Sequence, residues 1–105
     1  MVRGEIFRLR LPRGARGSEQ RGARYAVIVQ ADELLALSTV LVSPTSAPAP
    51  ARSFRPAIEI DGTPTRVLVE QTTAISPDRL GDSVGRLDAA ELRNLDAALS
   101  VVFGL

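Results

Sequence analysis

The stretch GSEQRGARYAVIVQ, Gly17 to Gln30, joins a charged, glycine-containing segment directly to a run of strand-forming residues. Its second half, from Tyr25 to Gln30, is largely β-branched or apolar and predicts a short buried strand. Its first half holds two glycines, two arginines and Glu19, a composition that disfavours regular structure. A segment that only reversed the chain would not need these charges, so the junction is either a solvated surface or a functional site.

The residues before this strand predict a first strand followed by a basic loop. GEIFRLRL, Gly4 to Leu11, places apolar residues among charged ones and predicts a half-exposed strand, and Pro12 to Arg24 predicts a long loop. Residues 8–24 carry six arginines against the single Glu19, a net charge of +5, whereas residues 25–105 carry −4. Such clustering is typical of a surface that binds a polyanion.

The rest of the chain predicts further short strands separated by turns. ADELLALS predicts one helical turn, PTSAPAPARSFRP with its four prolines predicts a second long loop, and the Asp61-Gly62 pair predicts a hairpin turn. The predicted strands are TVLVS at Thr39 to Ser43, the two arms of AIEIDGTPTRVLVEQ, and GDSVGRL after a turn at Pro77 and Asp78.

The end of the chain changes to a helical period. Asp88 is a predicted N-cap with Glu91 three residues later, and Gly104 stands where a C-terminal cap belongs. These signals predict a helix over residues 89–103. Its apolar stripe is interpreted as core packing, with partner binding as the alternative; the stripe consists of Leu92, Leu95, Leu99 and Val102. The fold class predicted is mainly β (α+β): one domain over residues 1–105, with a curved antiparallel sheet or partly closed barrel capped by the helix.

The composition limits the chemistry. The chain has no cysteine and no histidine, which excludes disulfides, thiol nucleophiles and imidazole catalysis, so carboxylates, water or less usual groups would have to transfer protons. No metal or cofactor is expected. No apolar run approaches the ~20 residues of a membrane span, and the N-terminus is too charged for a signal peptide, so we expect a cytoplasmic protein with no membrane association.

Five segments in order along the chain resemble the MazF/PemK family of toxins from type II toxin-antitoxin systems. They are RGEIF, GSEQRGARYAVIVQ, VLVSPTS, VLVEQTTAI and RLGDSVGRLDAAELRNLDAALSVVFGL. The resemblance implies a small SH3-like antiparallel β-barrel of the CcdB/PemK type with a C-terminal α-helix, assembled as a homodimer. It also implies a metal-independent endoribonuclease, or mRNA interferase, that cleaves single-stranded RNA at a short sequence and leaves 2′,3′-cyclic phosphate and 5′-hydroxyl ends. A cognate MazE-like antitoxin is the implied inhibitor.

The resemblance also implies the catalytic residues. Arg24 matches the family's arginine before the strand, although the usual following proline is Tyr25 here, and Thr45 matches the catalytic threonine. A guanidinium, with a pKa above ~12, releases its proton with difficulty, so we expect Arg24 to stabilise charge on the phosphate. Glu19, matching the acid of the Gly-Ser-Glu-Gln motif, is then the candidate base, and Thr45 a hydrogen-bond donor to the phosphate.

Further residues are expected to contact the RNA. Gln71 matches a glutamine that the family places beside the substrate, and unstacked bases would be met by the two long loops. The candidates on these loops are Arg16, Ser18, Gln20, Arg21 and Ser46. Thr73 departs from the family pattern because many members have an arginine there, so a phosphate contact is expected to be missing.

Two other functions remain open at this point. One is a non-catalytic, CcdB-like poison that binds a protein such as gyrase through the helix and the Phe103-Gly104-Leu105 end. The other is a degenerate member that binds RNA without cutting it. If the chain is an endoribonuclease toxin, an acidic, disordered segment of the antitoxin would suit the basic residues 8–24.

Overall fold

The computed structural model describes residues 1–10 and 24–105. Across these two ranges, antiparallel strands form one sheet in the order β4-β5-β3-β2-β1-β7, with β6 paired to β3. The strands are β1 (Glu5–Leu9), β2 (Tyr25–Ile28), β3 (Val40–Ser46), β4 (Ala57–Ile60), β5 (Thr63–Val67), β6 (Thr73–Ile75) and β7 (Leu80–Arg86), and one helix follows, α1 (Ala89–Phe103). Short 3₁₀ turns cover Asp32–Leu34, Val69–Gln71 and Pro77–Arg79.

β2 lies inside the sheet and is buried on both faces. Val27 on one face belongs to the larger core cluster, and Ala26 and Ile28 on the other face belong to a smaller one; all three are inaccessible to solvent. Burial on both faces explains why this strand is a continuous apolar run rather than an alternating one. Arg24 immediately precedes the strand, so its backbone is fixed by the most deeply buried part of the sheet.

The helix covers the larger core cluster, as its apolar stripe predicts. Leu95 is fully buried and Ala98 nearly so, and Leu92, Leu99 and Val102 pack against the same cluster. The other members come mainly from the strands: Ile6, Val27, Val29, Ile58, Ile60, Val67, Val69 and Leu87. The sheet curls around this core and the helix closes it on one side.

Both predicted helix caps are confirmed. The Asp88 carboxylate accepts a hydrogen bond from the Glu91 backbone N–H at 2.7 Å, and the Glu91 carboxylate accepts one from the Asp88 N–H at 3.0 Å. Gly104 adopts the left-handed conformation, with φ of 70°, and its N–H donates to the carbonyls of Ser100 and Val101 in the last turn. The reciprocal capping box fixes where the helix begins.

The third strand is longer than the sequence predicts. It continues through Pro44 to Ser46, although proline normally interrupts a strand. Pro44 lies between two pairings of β3, because Val40 to Val42 face β6 and Thr45 and Ser46 face β5. This change of partner strand accommodates the proline. Thr45 therefore lies on a strand, and not in the predicted loop.

Among the described residues, the structure has no helix with the length and apolarity that crossing a membrane requires.

Candidate nucleic-acid interface

A groove with a volume of about 640 Å³ opens where β2 begins and β3 ends. Four of the residues singled out from the sequence line it: Arg24, Thr45, Ser46 and Gln71. The other walls come from Tyr25, Pro44, Ala47, Pro48, Leu68 and the β4–β5 hairpin, which contributes Ile60, Asp61, Thr63 and Thr65. Among the described residues, the lining of the groove thus combines one cation, one carboxylate, several hydroxyls, an amide and apolar side chains.

The register of β2 against β3 brings Arg24 and Thr45 together. Ala26 pairs with Pro44, so the residues just before Ala26 lie beside those just after Pro44. The Thr45 hydroxyl donates to the Tyr25 carbonyl at 3.4 Å, a long and therefore weak bond that leaves the hydroxyl available to a ligand. The Arg24 carbonyl accepts from the Leu9 N–H at 2.8 Å, which anchors the backbone while the residue stays exposed.

Gln71 lies on the Val69–Gln71 3₁₀ turn, which is held against β3 by hydrogen bonds. The Leu68 N–H donates to the Pro44 carbonyl at 2.8 Å, and the Thr72 hydroxyl donates to the Val69 carbonyl at 2.7 Å. Because that hydroxyl has only one proton, Ser43 Oγ, 2.7 Å away, is the donor in the bond between the two hydroxyls. Ser43 is fully buried, so this chain of hydrogen bonds holds the turn, and Gln71 with it, at the groove.

An ion pair joins this turn to the loop that follows β3. The Arg55 guanidinium donates to Glu70 Oε2 from Nε at 2.8 Å and from Nη2 at 2.5 Å, and it also lies 5.6 Å from the Phe54 ring centroid. These hydrogen bonds lower the pKa of the Glu70 carboxyl below its ordinary value. Arg55 thus neutralises the acid next to Gln71, and a segment predicted as loop is tied to the site.

Arg8 extends the basic surface beside the groove, a role that the sequence did not single out. It lies opposite Tyr25 in the pairing of β1 with β2, and its guanidinium is 5.5 Å from the Tyr25 ring centroid. Tyr25 lines the groove, so this contact places the Arg8 guanidinium beside a residue of the groove wall. Only strand register could have revealed this contact, because the two residues are far apart in sequence.

Asp61 was interpreted from the sequence only as part of a turn, and the structure places it in the groove wall. The Asp61-Gly62 hairpin itself is confirmed, since β4 and β5 flank it with Ile60 paired to Thr63. A turn signal does not indicate what the turn faces, which is why this residue was missed.

Thr73, where an arginine was expected from the family pattern, lies on β6 opposite Val42 and is exposed. It is not among the described residues that line the groove. The candidates Glu19, Arg16, Ser18, Gln20 and Arg21 all lie outside the described residues, and their roles stay predictions.

Comparison with known proteins identifies the family of this fold and groove. Residues 2–103 match the family described as PemK-like, MazF-like toxin of type II toxin-antitoxin system. A candidate toxin of Mycobacterium tuberculosis, Rv3098A, is 38% identical over 106 residues, covering 100% of this chain and 99% of that protein. Endoribonuclease MazF9 of the same organism is 37% identical over 112 residues, covering 96% of this chain and 94% of that protein.

The fold prediction is confirmed by solved structures. An endoribonuclease in complex with its cognate antitoxin, from a mycobacterial species, superposes with a TM-score of 0.81 at 20% identity, covering 100% of this chain and 96% of that one. The curled antiparallel sheet with one C-terminal helix is shared between the two. On the family match and the relatives together, this chain belongs to the PemK-like, MazF-like toxins of type II toxin-antitoxin systems.

Proposed function

We propose that this chain is a metal-independent endoribonuclease toxin that cleaves single-stranded RNA and leaves 2′,3′-cyclic phosphate and 5′-hydroxyl ends. The observation that carries the proposal is that Arg24, just before β2, and Thr45, near the end of β3, line the same groove. A relative 37% identical to the chain is named an endoribonuclease, which agrees with this chemistry.

The proposed reaction is an internal attack at phosphorus. The RNA 2′-hydroxyl loses a proton and forms the O2′–P bond, the P–O5′ bond breaks, and the 5′-oxygen takes a proton from water. Negative charge grows on the phosphoryl oxygens during this step. Arg24 suits their stabilisation because a guanidinium holds two oxygens with parallel hydrogen bonds.

Thr45 and Glu19 complete the proposed machinery. The Thr45 hydroxyl, whose bond to the Tyr25 carbonyl is long, donates to a phosphoryl oxygen when the substrate is present. Glu19, or a water that it orients, takes the proton of the 2′-hydroxyl. This assignment follows from the Gly-Ser-Glu-Gln motif and from the absence of histidine and cysteine in the chain.

Base contacts are proposed for Ser46 at the end of β3, for Gln71 on its 3₁₀ turn and for the segment before β2. Ser46 and Gln71 line the groove beside Arg24 and can each donate and accept hydrogen bonds. Arg16, Ser18, Gln20 and Arg21 are proposed to add contacts from the segment that precedes β2. Because the proposed substrate is cellular RNA, we place the activity in the cytoplasm.

We further propose that a MazE-like antitoxin covers this groove. The +5 charge of residues 8–24 would attract an acidic segment, which would occupy the RNA path. A structural relative of this chain is an endoribonuclease bound to its cognate antitoxin, which supports this kind of partner.

The proposed assembly is a homodimer. Several large apolar side chains are exposed on the single chain, among them Val101 and Phe103, each 59% exposed, at the end of α1. A second copy of the chain could cover such side chains. Light scattering over a range of concentrations would give the mass of two chains, and a mass of one chain throughout would contradict the proposal.

One experiment separates the endoribonuclease from the two alternatives. The purified chain is incubated with a long RNA in the presence of EDTA, and the fragment ends are mapped chemically. Defined cuts with cyclic phosphate ends support the proposal. Intact RNA with blocked DNA supercoiling by gyrase would favour a CcdB-like poison acting through the Phe103-Gly104-Leu105 end. RNA that is bound but uncut would favour a degenerate member.

A further inference from the structure

The tip of the β4–β5 hairpin places a carboxylate in the proposed RNA groove. Asp61 lines the groove that Arg24 and Thr45 also line, and it is exposed to solvent. Its φ of 51° and the φ of 78° at Gly62 form a turn with two left-handed residues. Such turns fix the strand register, so the hairpin holds the Asp61 backbone, from which the side chain projects, at a defined position in the wall.

The turn geometry alone does not require a carboxylate. Asparagine adopts the left-handed region as readily as aspartate, and Asn-Gly is a preferred pair for the same turn. An amide at this position would make the hairpin without adding a negative charge to the groove. The carboxylate therefore needs a second explanation.

The charge of Asp61 opposes binding of the phosphate backbone. Glu70, the acid beside Gln71, is neutralised by Arg55, whereas no cation among residues 1–10 and 24–105 forms an ion pair with Asp61. An ionised carboxylate in a groove for a polyanion repels phosphate unless it binds a donor on the same ligand. The donors that RNA offers are on its bases and its 2′-hydroxyls.

From this chemistry we infer that Asp61 determines base specificity by accepting a hydrogen bond from the amino group of an unstacked base. Cytosine, adenine and guanine carry such groups. Uracil has a carbonyl oxygen where cytosine has its amino group, and its one N–H on that edge, at N3, lies between two carbonyl oxygens that repel a carboxylate. Asp61 is the one side chain among the described residues of the groove that can only accept hydrogen bonds. The hydroxyl groups that line the groove, and the amide of Gln71, can both donate and accept. Asp61 therefore disfavours uracil at its subsite. This inference rests on the proposed RNA substrate.

The test compares binding of two uncleavable strands, 2′-O-methyl oligocytidine and 2′-O-methyl oligouridine of equal length. The 2′-O-methyl group blocks the attacking oxygen, and the two bases differ only at position 4 and at the neighbouring N3. We expect the wild-type chain to bind oligocytidine about tenfold more tightly, as one good base contact allows. Asp61→Asn, whose amide can also donate to uracil, is expected to bring the two affinities within about threefold.

Glu33→Gln is the matched control. Glu33 is exposed on the Asp32–Leu34 turn, which lies beyond the opposite end of β2 from Arg24, and its replacement removes the same charge. Any increase in affinity caused by Glu33→Gln should be the same for both strands, so the preference for oligocytidine should remain. Asparagine suits the turn, so Asp61→Asn is expected to melt close to the wild-type temperature.

Cut-site mapping on an RNA of randomised sequence provides a second measurement. The wild-type chain is expected to exclude uracil at one position of its cut sequence, and Asp61→Asn to admit it. Equal binding of the two strands by the wild-type chain, or an unchanged preference in Asp61→Asn, overturns the inference. A wild-type chain that makes no cuts contradicts the proposed endoribonuclease instead, and leaves the binding comparison to decide the role of Asp61.

Discussion

The side chain of Arg24 is exposed while its backbone is held by β1, so a substitution there removes the guanidinium with little loss of packing. We expect Arg24→Ala to reduce the single-turnover cleavage rate about 10²- to 10³-fold, the range found when one preorganised donor to a developing charge is lost. Arg24→Lys should recover only part of this loss, because an ammonium supplies charge without the planar pair of donors.

The control for Arg24 is Arg93→Ala, which removes an exposed arginine of α1 that does not line the groove. Its cleavage rate should match the wild-type rate. Equal rates for Arg24→Ala and Arg93→Ala would remove Arg24 from the proposed mechanism.

Thr45 tests whether a hydroxyl or only a side-chain shape is needed. Thr45→Val keeps the β-branched shape on β3 and removes the donor, and we expect cleavage to fall about tenfold or more at nearly unchanged stability, because the bond to the Tyr25 carbonyl is long. Thr45→Ser should restore most of the rate. Denaturation curves measured alongside the rates separate the two effects, and full activity in Thr45→Val would show that the hydroxyl takes no part.

Glu19 is assigned as the base from its motif and from the lack of histidine and cysteine, so its test is the pH profile of cleavage. A carboxylate base must be ionised, so the wild-type rate is expected to rise with pH as that group loses its proton. Glu19→Gln should be slower and should lack this acidic limb. A variant with the rate and pH dependence of the wild type would require a different base.

At the scale of elements, the C-terminal helix was predictable to the residue, and the third strand was not. The helix depends on local signals, namely the capping box at Asp88, the apolar spacing and Gly104, and all of them lie within the segment itself. The end of β3 depends on a pairing with β5, a strand about twenty residues away, which overrides the local effect of Pro44. Segment boundaries set by distant partners are not encoded in local sequence.

The candidate site divides in the same way. Arg24, Thr45, Ser46 and Gln71 were named from a family resemblance, and the structure brings these four to one groove. Arg8 and Asp61 were not named, because the contact of Arg8 with Tyr25 depends on the β1–β2 register, and the position of Asp61 depends on where a whole hairpin packs. Sequence reasoning found the residues that form a motif and missed those brought together by register.

The Arg55–Glu70 ion pair couples two elements and makes stability depend on pH. Because Arg55 lowers the pKa of folded Glu70 below its ordinary value of 4.5, the pair stabilises the fold above that value, and the contribution is lost as the pH falls through the folded pKa. We expect Glu70→Gln to lower the free energy of unfolding near neutral pH by about 1 kcal/mol or less, since the pair is partly exposed.

Urea denaturation at a series of pH values measures this effect. The difference between wild type and Glu70→Gln should shrink as the solution becomes more acidic, since protonated Glu70 loses its ion pair. Glu33→Gln removes an equal charge outside the pair and serves as the control. A difference that stayed constant with pH would mean that Glu70 contributes through packing and not through its charge.

For the whole molecule, the separation of charge between residues 8–24 and the rest of the chain predicts how binding responds to salt. Each arginine that contacts a phosphate releases counterions, and for single strands the slope of log affinity against log salt changes by about 0.7 per contact. The Arg8 guanidinium lies against the ring of Tyr25, which lines the groove, so Arg8→Ala should reduce this slope for an uncleavable RNA strand by about that amount. Arg93→Ala, on the helix, should leave the slope unchanged.

The Arg8→Ala variant also distinguishes a contact with the RNA backbone from the base contact inferred for Asp61. Because every RNA sequence carries the same phosphates, Arg8→Ala should lose the same affinity for oligocytidine and for oligouridine. An unequal loss of affinity would mean that Arg8 also contacts bases.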